Sequence, residues 1–449
     1  MIRDKCLAHM CFLLSAVLML VIPASAEWNE KVLYSFQGLD KGSTPVGGVV
    51  FDRRGNLYVA TTDGGPASCA PIGSACGTVY QLSPPAKDAD PWTATLIRRF
   101  KGKRSNDASV PTGGLILDAT GNLYGVTGYG GTGNCVLLGV PAGCGTVYEL
   151  SPPAETGGLW TETILYSFPT AKQGYLPNGN LVFDSAGNLY GATTFGGGKG
   201  TTCDEFYGGN CGAAFELSPP KQKGGNWTEK VLHAFSGGTD GANPNGGLAL
   251  DSMGDIFGTT AFGGSSDCQG PGCGTIFKLT TPKKADGAWT EKMLHIFTDG
   301  NDGAGPNGGL FLDTKGRLYG AAGGGGSARF GVVFRLSLAG AEWTEAVLHA
   351  FTDNEHGRNP VGPLSPDSSG GFYGTALVGP NGRGIVFHLA LPKTNIADWA
   401  FSILYAFKAA PDAAGPEARL TPDGAGALYS TTVGGGAAGY GTVFELKPQ

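Results

Sequence analysis

Charged side chains are scarce: Asp, Glu, Lys and Arg make up 15% of the 449 residues. The formal net charge is −6; Arg3, Lys5 and Asp4 contribute +1 of it, so the rest of the chain carries −7. Its basic residues are scattered and form no stripe, which argues against a nucleic-acid partner. After residue 22 no run is apolar for long enough to cross a bilayer, so no membrane span is expected in the mature chain. Signatures of catalysis are missing too. There is no nucleophile elbow, P-loop, HExxH or calcium-loop motif.

What is present in excess is glycine, 78 residues, with 28 prolines. Hydrophobic residues still make up 41% and aromatics 10%, which excludes a disordered chain. Glycine between short apolar runs reads as many short strands joined by tight turns. Residues 1–26 read as a secretory leader. Arg3 and Lys5 form its basic start, 11–22 its apolar stretch, and Ala24-Ser25-Ala26 its small-x-small cleavage site. A secreted mature chain, periplasmic or extracellular, is therefore expected to span 27–449 as one domain.

Internal repetition organises that domain. Seven tryptophans, Trp28, Trp92, Trp160, Trp227, Trp289, Trp343 and Trp399, are each followed eight residues on by phenylalanine: Phe36, Phe100, Phe168, Phe235, Phe297, Phe351 and Phe407. An aspartate follows, sixteen residues on in six units and eighteen in the second: Asp52, Asp118, Asp184, Asp251, Asp313, Asp367 and Asp423. Six further on stands Tyr or Phe, and a G-T-V-Y/F-x-L segment closes the unit, as in 77–82. Each unit reads as four strands: W-T-E-x-V-L-x-x-F, G-G-L-x-x-D, L-Y-G-x-T and T-V-Y-E-L. A D-x-x-G-N hairpin turn joins the second and third. Four antiparallel strands repeated seven times predict a seven-bladed β-propeller; a parallel solenoid would not need a hairpin in every unit. The crowded Gly-Gly places strand two nearest the axis. The N-terminal strand, 28–36, then has to complete the last blade beside 441–446 and remove the free edges.

The strand two to three stretch, as in G-G-L-A-L-D-S-M-G-D-I-F-G, resembles the NHL-type propeller repeat. The whole unit, with W-T-E…L-Y-S-F and G-T-V-F-E-L-S-P, is similar to the GloVer-type tandem-repeat family of bacterial surface proteins. That family carries choice-of-anchor C-termini. Here the sequence stops at Gln449 without a sorting signal, so a released protein is expected. The resemblance implies no agreed activity.

Two of the ten cysteines lie in the leader. The other eight form four close pairs, Cys69/Cys76, Cys135/Cys144, Cys203/Cys211 and Cys268/Cys273, each in a loop between strands three and four. Local disulfides are the natural reading in an oxidising compartment, each worth roughly 2–3 kcal/mol in the chain-entropy model. Irregular spacing without accompanying histidines argues against zinc.

Residues found in every unit are expected to be structural. That covers the aspartates. It also covers His233, His295 and His349, which share a slot with Tyr34, Tyr166 and Tyr405, so no metal and no cofactor are expected from them. The D-G loops around Asp240-Gly241 and Asp299 to Gly303 are the one place where calcium has oxygen ligands available. What varies is the P-x-G-G lead-in to strand two. It carries Asn178, Asn245 and Asn307; Asn180 replaces a glycine, and Glu417 and Arg419 flank Ala418 in unit seven. With strand two innermost these six side chains surround one mouth of the channel and are the candidate ligand-binding residues. Cysteine-loop aromatics, Tyr129, Phe195, Phe206, Tyr207 and Phe262, share that end. Two functions stay open: a monomeric extracellular scaffold that binds a polysaccharide or a surface protein, or a propeller hydrolase or lactonase centred on the channel mouth.

All eight cysteines beyond the leader should resist alkylation under denaturing, non-reducing conditions. Full labelling of any pair, or a peptide map linking Cys69 to Cys135, refutes the pairing.

Overall fold

Alternation of apolar and polar residues within each short run, broken by D-x-x-G turns, yields strands that pair with their immediate neighbours. In the computed structural model, residues 27–449 are described apart from 66–75, 88–89, 138, 156, 199–210, 223, 265–267, 269, 285–286 and 395–397. The leader, Cys69, Cys203, Phe206 and Tyr207 lie outside the described residues. Blade one runs outward from Ser43–Phe51 through Leu57–Asp63 and Thr78–Ser83 to Thr93–Arg99, all antiparallel. Each blade thus combines strands two, three and four of one unit with strand one of the next. Seven such sheets form a seven-bladed β-propeller. The described residues contain no α-helix, and no helix long and apolar enough to cross a membrane.

Blade seven closes the ring as the repeat order requires. Trp28–Ser35 pairs antiparallel with Thr442–Pro448, from Trp28 opposite Pro448 to Ser35 opposite Thr442. Beyond the last rung, Gln449 N donates to Glu27 O at 2.8 Å.

The blades meet through aromatic rings. All seven repeat phenylalanines are fully buried at 0% exposure. Each packs edge-to-face on the aromatic of the following blade's third strand. The pairs are Phe36–Tyr80, Phe100–Tyr148, Phe168–Phe215, Phe235–Phe277, Phe297–Phe334, Phe351–Phe387 and Phe407–Phe444, with centroids 5.0–5.7 Å apart. Burying one such side chain contributes about 1.5–3 kcal/mol, and the edge-to-face geometry adds about 0.5–1.5 kcal/mol. The tryptophans pack across the same junctions in the other direction, as Trp160 on Tyr58 (5.6 Å) and Trp28 on Tyr373 (6.4 Å). They are half-buried core residues.

Two features recur at every junction that periodicity alone did not predict. First, each outermost strand carries a β-bulge midway, as between Val32 and Tyr34 or opposite Val79 and Tyr80. The extra residue breaks strict alternation, so Leu33, Leu165, Leu232 and Leu294 also turn inward, each 8% exposed. Second, a residue in the left-handed region begins each innermost segment: Thr44, Val110, Leu176, Asn243, Gly305, Asn359 and Gly415. Its N–H donates to a loop carbonyl of the preceding blade, as Val110 N to Cys76 O (2.7 Å) and Asn359 N to Phe330 O (2.9 Å). β-Branched Thr44 and Val110 are disfavoured at positive φ, and the latch bond holds them there. In four of the seven latches the acceptor is a loop cysteine: Cys76, Cys144, Cys211 or Cys273. Cys135–Cys144 and Cys268–Cys273 are disulfides, and Cys76 and Cys211 are disulfide-bonded as well.

The turn aspartates act as expected. Asp52 Oδ1 accepts from Arg54 N (2.8 Å) and Asn56 N (2.9 Å), and Oδ2 from Asn56 Nδ2 (2.7 Å) and the Tyr58 hydroxyl (3.1 Å). Burial alone would raise its carboxyl, but these bonds outweigh it and hold Asp52 below the ordinary carboxylate range, as they do Asp118 and Asp184.

Deleting residues 27–37 should lower the melting temperature of the whole ring in one cooperative transition. A deletion variant that melts like the full chain refutes ring closure by this strand.

Candidate functional site at the channel mouth

Innermost strands approach one another so closely at the axis that a side chain has no room. A Cβ on Gly246 would lie 2.8 Å from Gly308 O, and one on Gly362 would lie 2.9 Å from Glu417 O. Gly47 meets Gly114, Gly113 meets Gly179, and Gly48 meets Arg419 O at 2.6 Å, which completes the circle. Hydroxyls tie neighbouring blades at the same level. Thr112 Oγ1 donates to Pro177 O (2.6 Å) and Thr421 Oγ1 to Val49 O (2.7 Å).

Where the glycines stop, polar side chains begin. Asn178, Asn180, Asn245, Asn307, Glu417 and Arg419 all line one cavity of about 350 Å³, together with Thr112, Val361 and Leu377. The sequence therefore placed all six candidates around a single opening. Their bonding differs. Asn180 Oδ1 accepts from Gly114 N at 2.7 Å and so joins blades two and three. Asn178 Oδ1 caps Gly179 N at 2.7 Å. Asn245 Nδ2 reaches Asn307 Oδ1 at 3.4 Å, while Asn245 Oδ1 is buried without a partner.

Glu417 and Arg419 make no side-chain hydrogen bond or ion pair among the described residues. Water reaches both, yet the ring surrounds them. The resulting desolvation raises the Glu417 carboxyl and lowers the Arg419 guanidinium from their ordinary values.

Among the loop aromatics, Phe195 stacks on Tyr175 of its own blade at 5.4 Å and Phe262 packs against the core of its junction. Tyr129 is half-buried.

Sequence reasoning passed over two features. One is a groove of about 1010 Å³ on the opposite face, between blades one and two, lined by Arg53, Arg54, Asp118, Glu155, Leu159 and Trp160. Pro152, Pro153, Glu155 and Leu159, from the linker that follows strand four, form one wall. The other is the glutamate of W-T-E. Glu30, Glu162, Glu229, Glu291 and Glu345 share the inward phase with tryptophan, and each has an enclosed Oε1 without a hydrogen-bond partner. Burial, with the neighbouring carboxylate Asp412, raises Glu30 to about 8, and burial raises Glu229 to about 7. The available signal was a carboxylate at an even offset from tryptophan.

Comparison with known proteins places the chain as follows. The profile described as the Gloeobacter/Verrucomicrobia repeat matches residues 21–203 and again 199–444. No curated protein matches the chain. A polysaccharide lyase (ulvan lyase), solved with a GlcA–Rha3S unit bound, is similar at 11% identity and TM-score 0.50, over 93% of this chain and 95% of that one. A Lactobacillus plantarum protein is similar at 13% identity and TM-score 0.50, over 84% and 89%. A protein of unknown function from Dyadobacter fermentans is similar at 12% identity and TM-score 0.45, over 94% and 98%. At such identities the likeness is one of fold.

Asn180→Gly, which restores the residue of other units, should cost about 0.5–1.5 kcal/mol through loss of one inter-blade hydrogen bond. Urea denaturation measures it, and unchanged stability refutes that role.

Proposed function

The chain belongs to the Gloeobacter/Verrucomicrobia repeat family, and from that premise we propose that it is a secreted binding propeller that holds a polar ligand at its channel mouth. The observation that carries this reading is convergence. Asn178, Asn245, Asn307, Glu417 and Arg419 come from four blades, stand on or beside the glycine circle and meet at one cavity. Carboxamides both donate and accept, which suits hydroxyl groups. Arg419 adds a partner for a carboxylate or sulfate. The cavity lies near the small end of the roughly 300–1,000 Å³ range of ligand sites, so it fits a short glycan segment or a chain end. The partner class is therefore a polysaccharide, bound by a monomer acting outside the cytoplasm after loss of residues 1–26. The fold likeness to a polysaccharide lyase is not needed for this argument.

A hydrolase or lactonase at the same mouth is the second reading. It is favoured by Glu417, whose carboxyl is raised by burial toward the range useful for proton transfer.

A glycan array of neutral and uronic-acid oligosaccharides should yield a ligand. Calorimetry should then show its affinity falling at least about tenfold (about 1.4 kcal/mol) in Arg419→Ala and Asn245→Ala. Wild-type affinity in both variants, or a footprint on the D-x-x-G-N face, overturns the reading. Turnover of the bound glycan or of a lactone, abolished by Glu417→Gln, selects the enzyme instead.

A further inference from the structure

The junction of blades three and four carries a donor set that the channel does not use. His233 is the penultimate residue of the outermost strand of blade three, Thr228–Ala234. Asp240 closes the short 3-10 turn Gly238–Asp240 that leads into blade four. Glu291 lies on blade four's outermost strand, Thr290–Ile296. The β-bulge turns His233 toward the turn: its Nε2 lies 2.9 Å from Asp240 Oδ1. Glu291 shares the inward phase of its tryptophan and arrives from the facing blade. One nitrogen and one oxygen from each carboxylate lie within 4.8 Å of one another.

We propose that this junction is a binding site for a divalent transition-metal ion of the zinc class, held by His233 Nε2, Asp240 Oδ1 and Glu291 Oε1.

Three observations support it. Glu291 Oε1 is enclosed and has no hydrogen-bond partner, a condition that costs about 1–3 kcal/mol when nothing compensates it. Asp240 is already oriented: Oδ2 accepts from Ser236 N and Ser236 Oγ, both at 2.7 Å, leaving Oδ1 to face the imidazole. Such outer bonds are what fix a ligating carboxylate in place.

The third observation comes from the equivalent junction of blades one and two. There Arg98 stands in the His233 slot, and its guanidinium bridges Asp107 (2.6 Å) and Glu162, the counterparts of Asp240 and Glu291. That junction supplies its own cation between the two carboxylates. The junction of blades three and four offers an imidazole in its place, so the same pair of carboxylates calls for a cation from solution. Where the glutamate is missing, the arrangement changes character: His349 stacks flat on Phe401 at 4.1 Å.

The donor chemistry selects the ion. An imidazole with two carboxylates suits zinc and its neighbours, whereas calcium and magnesium prefer all-oxygen sets. Three protein ligands leave one tetrahedral position for water. His295, Asp302 and Glu345 repeat the same residue types one junction on, with His295 Nε2 3.3 Å from Asp302 Oδ2. Among the described residues, however, only the donors of His233, Asp240 and Glu291 converge within 4.8 Å of one another.

The test uses the full mature chain, stripped with chelator and titrated with Co²⁺ and with Zn²⁺. Cobalt should develop a visible d–d absorption of tetrahedral intensity, and zinc should displace it. Glu291→Gln and His233→Ala should each weaken binding by more than about tenfold. Zinc should raise the melting temperature of the wild type and not that of Glu291→Gln. No cobalt band in the wild type, or an unchanged binding isotherm in Glu291→Gln with native circular dichroism, overturns the proposal. So does displacement of cobalt by calcium at equal concentration. Should His233→Ala fail to fold, the near-isosteric Glu291→Gln decides alone.

Discussion

Edge-to-face contact between one phenylalanine and one aromatic of the next blade sets the spacing of this ring. With centroids held at 5.0–5.7 Å around the whole circle, the angle between blades leaves no freedom at the axis. Innermost strands are driven into backbone contact, and glycine is the residue that tolerates it. Moving outward, the same wedge opens. Along the outermost strands it admits tryptophan, and a carboxylate with a cationic, phenolic or imidazole partner.

How much of this was legible follows from what side chains advertise. Phe36 and its six counterparts announce a core because a large apolar ring at fixed spacing has no other use. Asp52 and its counterparts announce a turn because carboxylates cap exposed backbone N–H groups. Strand order followed from Gly-Gly, and from it the meeting of Asn178, Asn245, Asn307, Glu417 and Arg419 around one opening. The rest was hidden because it resides in the backbone. The bulge beside Tyr34 and the left-handed Val110 change no residue type, yet they decide which way the neighbouring side chains face. His233, in a slot that tyrosine fills in other units, is brought against Asp240 and Glu291 by those two devices, and a linear reading has no means of seeing it.

The disulfides acquire a reason from the latches. The second cysteine of each pair offers the carbonyl that receives the next blade. Stapling the loop fixes the direction of that carbonyl. Phe330, Arg383 and Tyr440 fill the role without a staple, on loops that are shorter and hold themselves. The structural argument for cysteine is therefore strongest in units one to four, while the six candidate residues at the mouth fall in units three, four, five and seven.

Closing the ring with its first strand also governs how the molecule comes to exist. Strands two to four of every unit find their partners within a few dozen residues, so six blades assemble from local contacts at small entropic cost. The pairing of Trp28–Ser35 with Thr442–Pro448 joins nearly opposite ends of the polymer, and that loop has to be closed before its hydrogen bonds return anything. Of the strands described, Trp28–Ser35 is made first and is satisfied last. Until Thr442 emerges it is an unpaired edge carrying a tryptophan, the kind of edge on which another strand can add.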